Sequence, residues 1–318
     1  MTRFEYFYNS MKRELSLQAK SEKTQEAYLR ALRRIGKRQN KDLNEISQED
    51  IKEYFYRLKL CYSMPSLKAD RSGLLFFYTY VLFRDWDWNK IIRVRVKSRL
   101  PDILSQSELS HVFSYVNKWR FRVCLFTIYS MGLRISEALR IRPGDICPDR
   151  KLLHVRDGKT CRDRLVPIPD LTLIMINDYW LSHQNSFYIF PKVNKRGIAL
   201  QENNQMSIPS VQAAFRMAVL ESSVMKRLSV HSLRHSYATH LLESGVPILA
   251  IKEVLGHKSI VTTMVYMRLT NVMQENRNEQ IRQLMSQYVF LNSCDDLSLN
   301  LSVYSKDEFH QLKGKKNE

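Results

Sequence analysis

No apolar run in this chain of 318 residues approaches the length needed to cross a membrane. The opening stretch MTRFEYFYNSMKRE is too charged for a secretory signal, which points to the cytoplasm or a nucleoid. The five cysteines, Cys61, Cys124, Cys147, Cys161 and Cys294, lie far apart with no Cys-x-x-Cys pair. That spacing excludes a disulfide framework and a zinc ribbon, and predicts reduced, mostly packed thiols. Internal repeats and low-complexity segments are also lacking. Acidic side chains are scarce: 32 Asp and Glu face 50 Lys and Arg, a net charge of +18. The first hundred residues alone hold 22 basic and 12 acidic side chains, more than half of the excess. A polyanion is the expected partner, and nucleic acid is the commonest one; the plainer alternative is a solvated basic surface.

What is present is enough hydrophobic sequence, 44%, to bury real cores, and a length suited to two ordinary domains. The first hundred residues read as helices. TQEAYLRALRRIGKR sets Tyr28, Leu29, Leu32 and Ile35 on one side and Arg30, Arg33, Arg34 and Lys37 on the other. SQEDIKEYFYRLKL opens with Ser47 and Asp50 at capping-box spacing, and RSGLLFFYTYVLF reads as a central helix with strand as the alternative. Asp85-Trp86 and Asp87-Trp88 break the pattern. A basic, Pro-containing segment at about residues 90–101 carries Arg93, Arg95, Lys97 and Arg99, which suit a strap along a phosphate backbone. The expected boundaries are a first domain over 1–95, a linker over 96–101, a second domain over 102–290 and a tail over 291–318. The second domain restarts at the capping box Ser105–Glu108 and continues through FRVCLFTIYSMGLRISEALRI, read as helix. KLLHVRD and RLVPIP, joined by the polar GKTCRD, predict a β-hairpin. Helices follow over SVQAAFRMAVLESS, SVHSLRHSYATHLLESG and TNVMQENRNEQIRQLMSQY.

Five features of the second domain carry chemistry, and each has a plainer reading. Arg134 sits beside Gly132 in an apolar stretch, where a buried guanidinium needs an anion; Glu137, three residues on, offers a simple intrahelical pair. Lys159 lies at the hairpin tip, where lysines are usually just solvated. His231 and Arg234 are neighbours at the entrance of a helix whose Leu233, Tyr237, Leu241 and Leu242 form an ordinary apolar stripe. His231 and His235 are one turn apart, as metal ligands can be, but HSLRH lacks a zinc-protease glutamate and no Cys or carboxylate cluster completes a site. No metal and no cofactor is expected. LGHKSIVTTMVYMRL places His257 after a glycine C-cap and Tyr266 nine residues later, where tyrosine is more often core than nucleophile. Together these side chains suit one task. Arginines clamp a phosphodiester, a lysine protonates a leaving alkoxide, a histidine donates to a phosphate oxygen, and a tyrosine holds phosphorus as an ester. The helix entrance at His231 then faces a phosphate, which its positive end favours.

Over roughly residues 20–285 the sequence resembles the tyrosine recombinases, the family of phage, Xer-type and integron integrases. HSLRHSYATHLLESG and LGHKSIVTTMVY look like the family's two sharpest motifs, GLRISEAL like its first arginine motif, and GKTCRDRLVPI like its lysine hairpin. By that resemblance Arg134, Lys159, His231, Arg234, His257 and Tyr266 take the catalytic positions. Thr160 replaces a glycine common after the lysine, and Arg268 a common histidine; neither removes a catalytic group. The resemblance implies a mainly α, two-domain protein: a helical, SAM-like core-binding domain and a catalytic domain with a small antiparallel sheet. It implies a clamp around double-stranded DNA, a homo-tetramer on two target sites with the C-terminal helix docked on a neighbour, and a 3′-phosphotyrosyl intermediate. Two alternatives share the fold: a type IB topoisomerase-like enzyme and a catalytically inactive DNA-binding regulator.

Overall fold

Helices dominate the computed structural model, which describes residues 2–39, 41–94, 100–156, 163–194, 196–267 and 269. The chain divides into two compact units, the first covering Met1–Pro101 and the second Asp102–Val155 with the residues from Arg164 on. Both match the fold class read from the sequence.

The first unit is α1 (Arg3–Leu17), α2 (Glu22–Arg38), α3 (Gln48–Cys61), α4 (Met64–Tyr80) and the short α5 (Trp88–Ile91). Thr2 with Glu5 and Ser47 with Asp50 form reciprocal capping boxes that satisfy the first free amides of α1 and α3. α2 buries Leu29, Ala31, Leu32 and Ile35, the stripe its periodicity predicts, while Tyr28 lies at its edge. RSGLLFFYTYVLF is helix: α4 crosses α2 so closely that a Cβ on Gly73 would stand 3.0 Å from the Tyr28 Cα. The Asp-Trp pairs follow the end of α4, and Asp87 caps α5, where the Trp86 ring stacks on Tyr78 at 4.4 Å and Trp88 is buried.

The second unit holds α6 (Gln106–Ser114), α7 (Trp119–Ser130), α8 (Ile135–Ala138), β1 (Ile146–Cys147), β2 (Leu152–Val155), β3 (Arg164–Pro167), α9 (Asp170–Leu181), α10 (Ile208–Glu221), α11 (Val230–Glu243), α12 (Ile248–Leu255) and α13 (Ile260–Met267). The strands pair antiparallel in the order β1-β2-β3, with Leu153 opposite both Ile146 and Val166. Leu153, Val155 and Val166 face the core with α7, α9 and α10, as period-two alternation requires. A smaller apolar cluster of Ala238, Leu242, Ile251, Leu255 and Tyr266 ties α11, α12 and α13 together.

Two expectations need correction. FRVCLFTIYSMGLRISEALRI is not one helix: α7 stops at Ser130, and α8 begins only after Arg134. Gly132 makes the break at φ +58°, where a Cβ would lie 2.4 Å from the Tyr237 ring. Nor are the described thiols mostly packed, for of these three Cys61 and Cys147 are exposed while Cys124 is buried. The linker residues 95–99, the hairpin tip with Lys159 and Cys161, and residues 270–318 with the expected last helix, Cys294 and the tail lie outside the described residues.

Candidate active site

The site is built on the end of α12. An α-helix leaves its last carbonyls without intrahelical partners, at the negative end of its dipole. Here three successive ones each receive an arginine. Arg164 Nε donates to Val254 O at 2.8 Å, Arg234 Nη2 to Leu255 O at 2.6 Å, and Arg134 Nη2 to Gly256 O at 3.4 Å. Gly256 closes the helix in the left-handed region at φ 63°, and a Cβ there would meet the Arg164 guanidinium at 3.0–3.2 Å. Glycine is therefore required both by conformation and by space.

One carboxylate serves all three arginines. Glu137 accepts from Arg164 twice, at 3.1 and 2.8 Å, and from Arg134 Nη1 at 2.5 Å, and stands 3.7 Å from Arg234 Nη1. It also caps α8 by accepting from the Arg134 amide at 2.8 Å. Arg134 is thus not within a helix, as its sequence surroundings predict, but at a helix start, its side chain 35% exposed. The intrahelical-type pair with Glu137 exists as well. Arg234 is the deeply buried one, at 1% exposure, its Nη1 donating to Gly132 O at 2.8 Å while its Nε has no partner. Burial raises the Glu137 carboxyl, but hydrogen bonding and charge from Arg164, with Arg134 next, outweigh this and leave it below the usual carboxylate range. Three guanidiniums against one carboxylate leave a surplus of positive charge.

The imidazoles feel that surplus. Burial first, then Arg234 and Arg134, hold His257 down at about 3; burial, then His231 and Arg234, hold His235 at about 4. His231, the exposed residue of the first turn of α11, is lowered too, by local desolvation and then by Arg234 and Arg134. Arg234 itself drops to about 10 through burial and its neighbour Arg134. Burial, with the neighbouring cations after it, keeps these histidines neutral.

Tyr266 lies within this group, 2% exposed on α13. Its hydroxyl is 3.0 Å from His235 Nδ1, and its ring stacks on His257 with centroids 6.3 Å apart. His257 Nδ1 in turn engages the buried Thr263 hydroxyl at 2.9 Å. Burial raises the phenol above its ordinary value, while Arg234 and Arg134 pull the other way. The structure therefore brings together Arg134, His231, Arg234, His257 and Tyr266; Lys159 lies outside the described residues. It adds Glu137 as a hub, Arg164 as a third guanidinium, and His235 as the group on the tyrosine hydroxyl. Among the described residues no group of three or more His, Cys, Asp or Glu side chains is set to hold a metal ion. Nor is any described helix long and apolar enough to cross a membrane. Such an arrangement can bind a tetrahedral anion, stabilise charge on its non-bridging oxygens and present a hydroxyl to it.

Comparisons with known proteins place the chain in a family. The family model described as "Phage integrase family" matches residues 102–272, and that of "Phage integrase, N-terminal SAM-like domain" matches residues 7–88. A tyrosine recombinase of Thermosipho africanus is 29% identical over 79% of this chain and 90% of its own length. Tyrosine recombinase XerA of Thermococcus onnurineus is 31% identical over 66% of this chain and 72% of its own. Among solved structures, a lambda integrase dimer bound to a core site has a TM-score of 0.67 at 18% identity, covering 82% of this chain and 76% of that one. XerH bound to its difH substrate has a TM-score of 0.63 at 19% identity, covering 80% and 78%. At such identities these structures establish the shared fold.

Proposed function

Because the chain belongs to the phage integrase family of tyrosine recombinases, site-specific enzymes that cut and rejoin DNA, we propose that Tyr266 is its nucleophile and that the site around the end of α12 holds the scissile phosphate. The Tyr266 oxygen attacks phosphorus, forming a 3′-phosphotyrosyl ester as the bond to the 5′-oxygen breaks. Lys159 gives that oxygen a proton. Arg134 and Arg234 neutralise the non-bridging oxygens, and His231 and His257 donate to them once the anion is bound. The 5′-hydroxyl of a partner strand then reverses the step. The ester conserves the energy of the broken bond, so the exchange needs neither ATP nor a metal.

The observation that carries this reading is the surplus of guanidinium charge around a buried tyrosine. A fold needs no such surplus, whereas a phosphodiester beside the part-exposed Arg134 supplies the counter-charge that it lacks. The partner is double-stranded DNA bearing specific sites, in the cytoplasm. Residues 1–95 form the core-binding domain, 96–101 the linker, 102–290 the catalytic domain and 291–318 a tail, and four protomers join two sites through the segment that follows Tyr266.

The test uses a nicked duplex that traps the covalent complex. Tyr266→Phe should bind this DNA as the native chain does and form no adduct. Residual adduct would move the nucleophile elsewhere, with Tyr237 the first to test.

A further inference from the structure

The three imidazoles near Tyr266 are not equivalent. His257 spends its Nδ1 on Thr263 and meets the tyrosine by ring stacking. His231 meets the edge of the His235 ring, with centroids 4.5 Å apart. His235 alone among them has a hydrogen bond to the hydroxyl, from the middle of that array. Its place follows from helix geometry: one turn beyond His231 on the same face of α11, it lies further from the helix entrance, within reach of Tyr266 on α13.

We infer that His235 is a further catalytic residue, the acceptor of the Tyr266 proton as the phosphotyrosyl bond forms. The inference rests on Tyr266 being the nucleophile. A phenol that is 2% exposed has little water to take its proton, so the proton passes to a group in contact. At 3.0 Å the Nδ1 of His235 is within the reach a general base needs. In the step, the Tyr266 O–H bond breaks toward His235 and the O–P bond forms. The bond from phosphorus to the 5′-oxygen breaks, and Lys159 protonates the leaving oxygen. In the reverse step the proton returns from His235 to the departing tyrosinate, and Lys159 recovers its own.

The groups facing His235 decide when it can act. His231 and Arg234 lie on its own helix, Tyr266 faces it from α13, and it is electrostatically coupled to His257. Burial first, then His231 and Arg234, oppose a charge on His235 and keep its Nδ1 free to accept. An entering phosphodiester offsets the repulsion from Arg234 and so raises the basicity of His235. Proton acceptance is thereby coupled to occupation of the site.

The experiment follows adduct formation by the full-length chain on the nicked duplex in single turnover. His235→Asn keeps an acceptor oxygen near the Nδ1 position but cannot take a proton, and His235→Phe removes both; His235→Gln is a second carboxamide should the first fail to fold. Each should slow adduct formation about 100-fold or more with DNA binding unchanged. Trifluorotyrosine installed at position 266, whose phenol ionises near neutrality, should restore most of the rate to His235→Asn and none to Lys159→Ala. A structural role would not respond to phenol acidity. A native rate in His235→Asn would reduce the contact to orientation, a faster rate in His235→Phe would make it a restraint, and failure of the acidic phenol to rescue would make it structural; each overturns the inference. Adduct in Tyr266→Phe would instead refute the nucleophile on which it rests.

Discussion

Asp70 in the first unit and Glu137 in the second are both buried against arginine side chains, and the two behave in opposite ways. In the first unit Asp70, with a side chain 5% exposed, pairs with Arg34 at 2.7 Å and accepts from the Tyr54 hydroxyl at 3.2 Å. Burial dominates there, and the Asp70 carboxyl is raised in spite of Arg34. In the second unit Glu137 is equally buried, at 7%, yet its carboxyl is lowered. The difference lies in the number of cations. One arginine against one acid is a balanced pair that fills a core; three against one is a charged site that needs an anion from outside. Buried ion pairs are weak evidence for function when balanced. Imbalance is the informative feature.

The largest expected effect comes from removing the hub. Glu137→Gln leaves Arg164 and Arg234 buried without a counter-charge, which should cost about 3–5 kcal/mol of stability in the second unit and slow cleavage as well. Asp70→Asn should cost less, about 1–3 kcal/mol, because Arg34 is 20% exposed and finds water. At saturating DNA it should leave the cleavage rate alone. Urea unfolding with single-turnover cleavage checks both. An Asp70→Asn enzyme as slow as Glu137→Gln would erase the distinction.

Acid provides a gentler version of the same contrast. His235 and His257 titrate at about 4 and about 3 in the folded unit, below the ordinary 6.5. A depressed imidazole contributes fully above 6.5, and its contribution is lost as pH falls and the unfolded chain takes up protons first. The second unit should therefore weaken progressively from about pH 6.5 toward 4. Residues 1–101 contain no histidine, and their raised Asp70 carboxyl takes up its proton in the folded unit first, so this unit should not weaken across that window. Hydrogen-exchange pulses at fixed pH, after equilibration in urea at pH 7 or pH 5, should find earlier opening of α11 at pH 5 and no earlier opening of α2. Equal shifts in both would contradict the charge-based account.

Much of this was legible in the sequence because it is local. The stripe of α2, the boxes at Ser47 and Ser105, the hairpin strands and the glycine end of α12 each depend on residues within one or two turns. What escaped depends on contacts between distant segments. Arg164 is one basic residue in a basic hairpin, and nothing nearby says that its guanidinium meets Glu137, 27 positions upstream, and Val254, 90 downstream. His235 was visible only as a partner of His231 for a metal, since Tyr266 lies 31 residues on. The break before Arg134 did leave a signal in Gly132. Its meaning depended on Tyr237, packed where a side chain would need to go.

The central claim is that the surplus cations of the second unit stabilise charge on a phosphate while Lys159 serves the leaving group. Replacing the bridging 5′-oxygen of the scissile phosphate by sulfur tests it most directly, because a thiolate leaves without a proton. Single-turnover cleavage is measured for Arg134→Ala, Arg234→Lys and Lys159→Ala on both substrates. The account predicts that sulfur largely restores Lys159→Ala and leaves both arginine variants as impaired as before. Equal rescue of the arginine variants would contradict it, since the guanidiniums would then be serving the departing oxygen and not the phosphate.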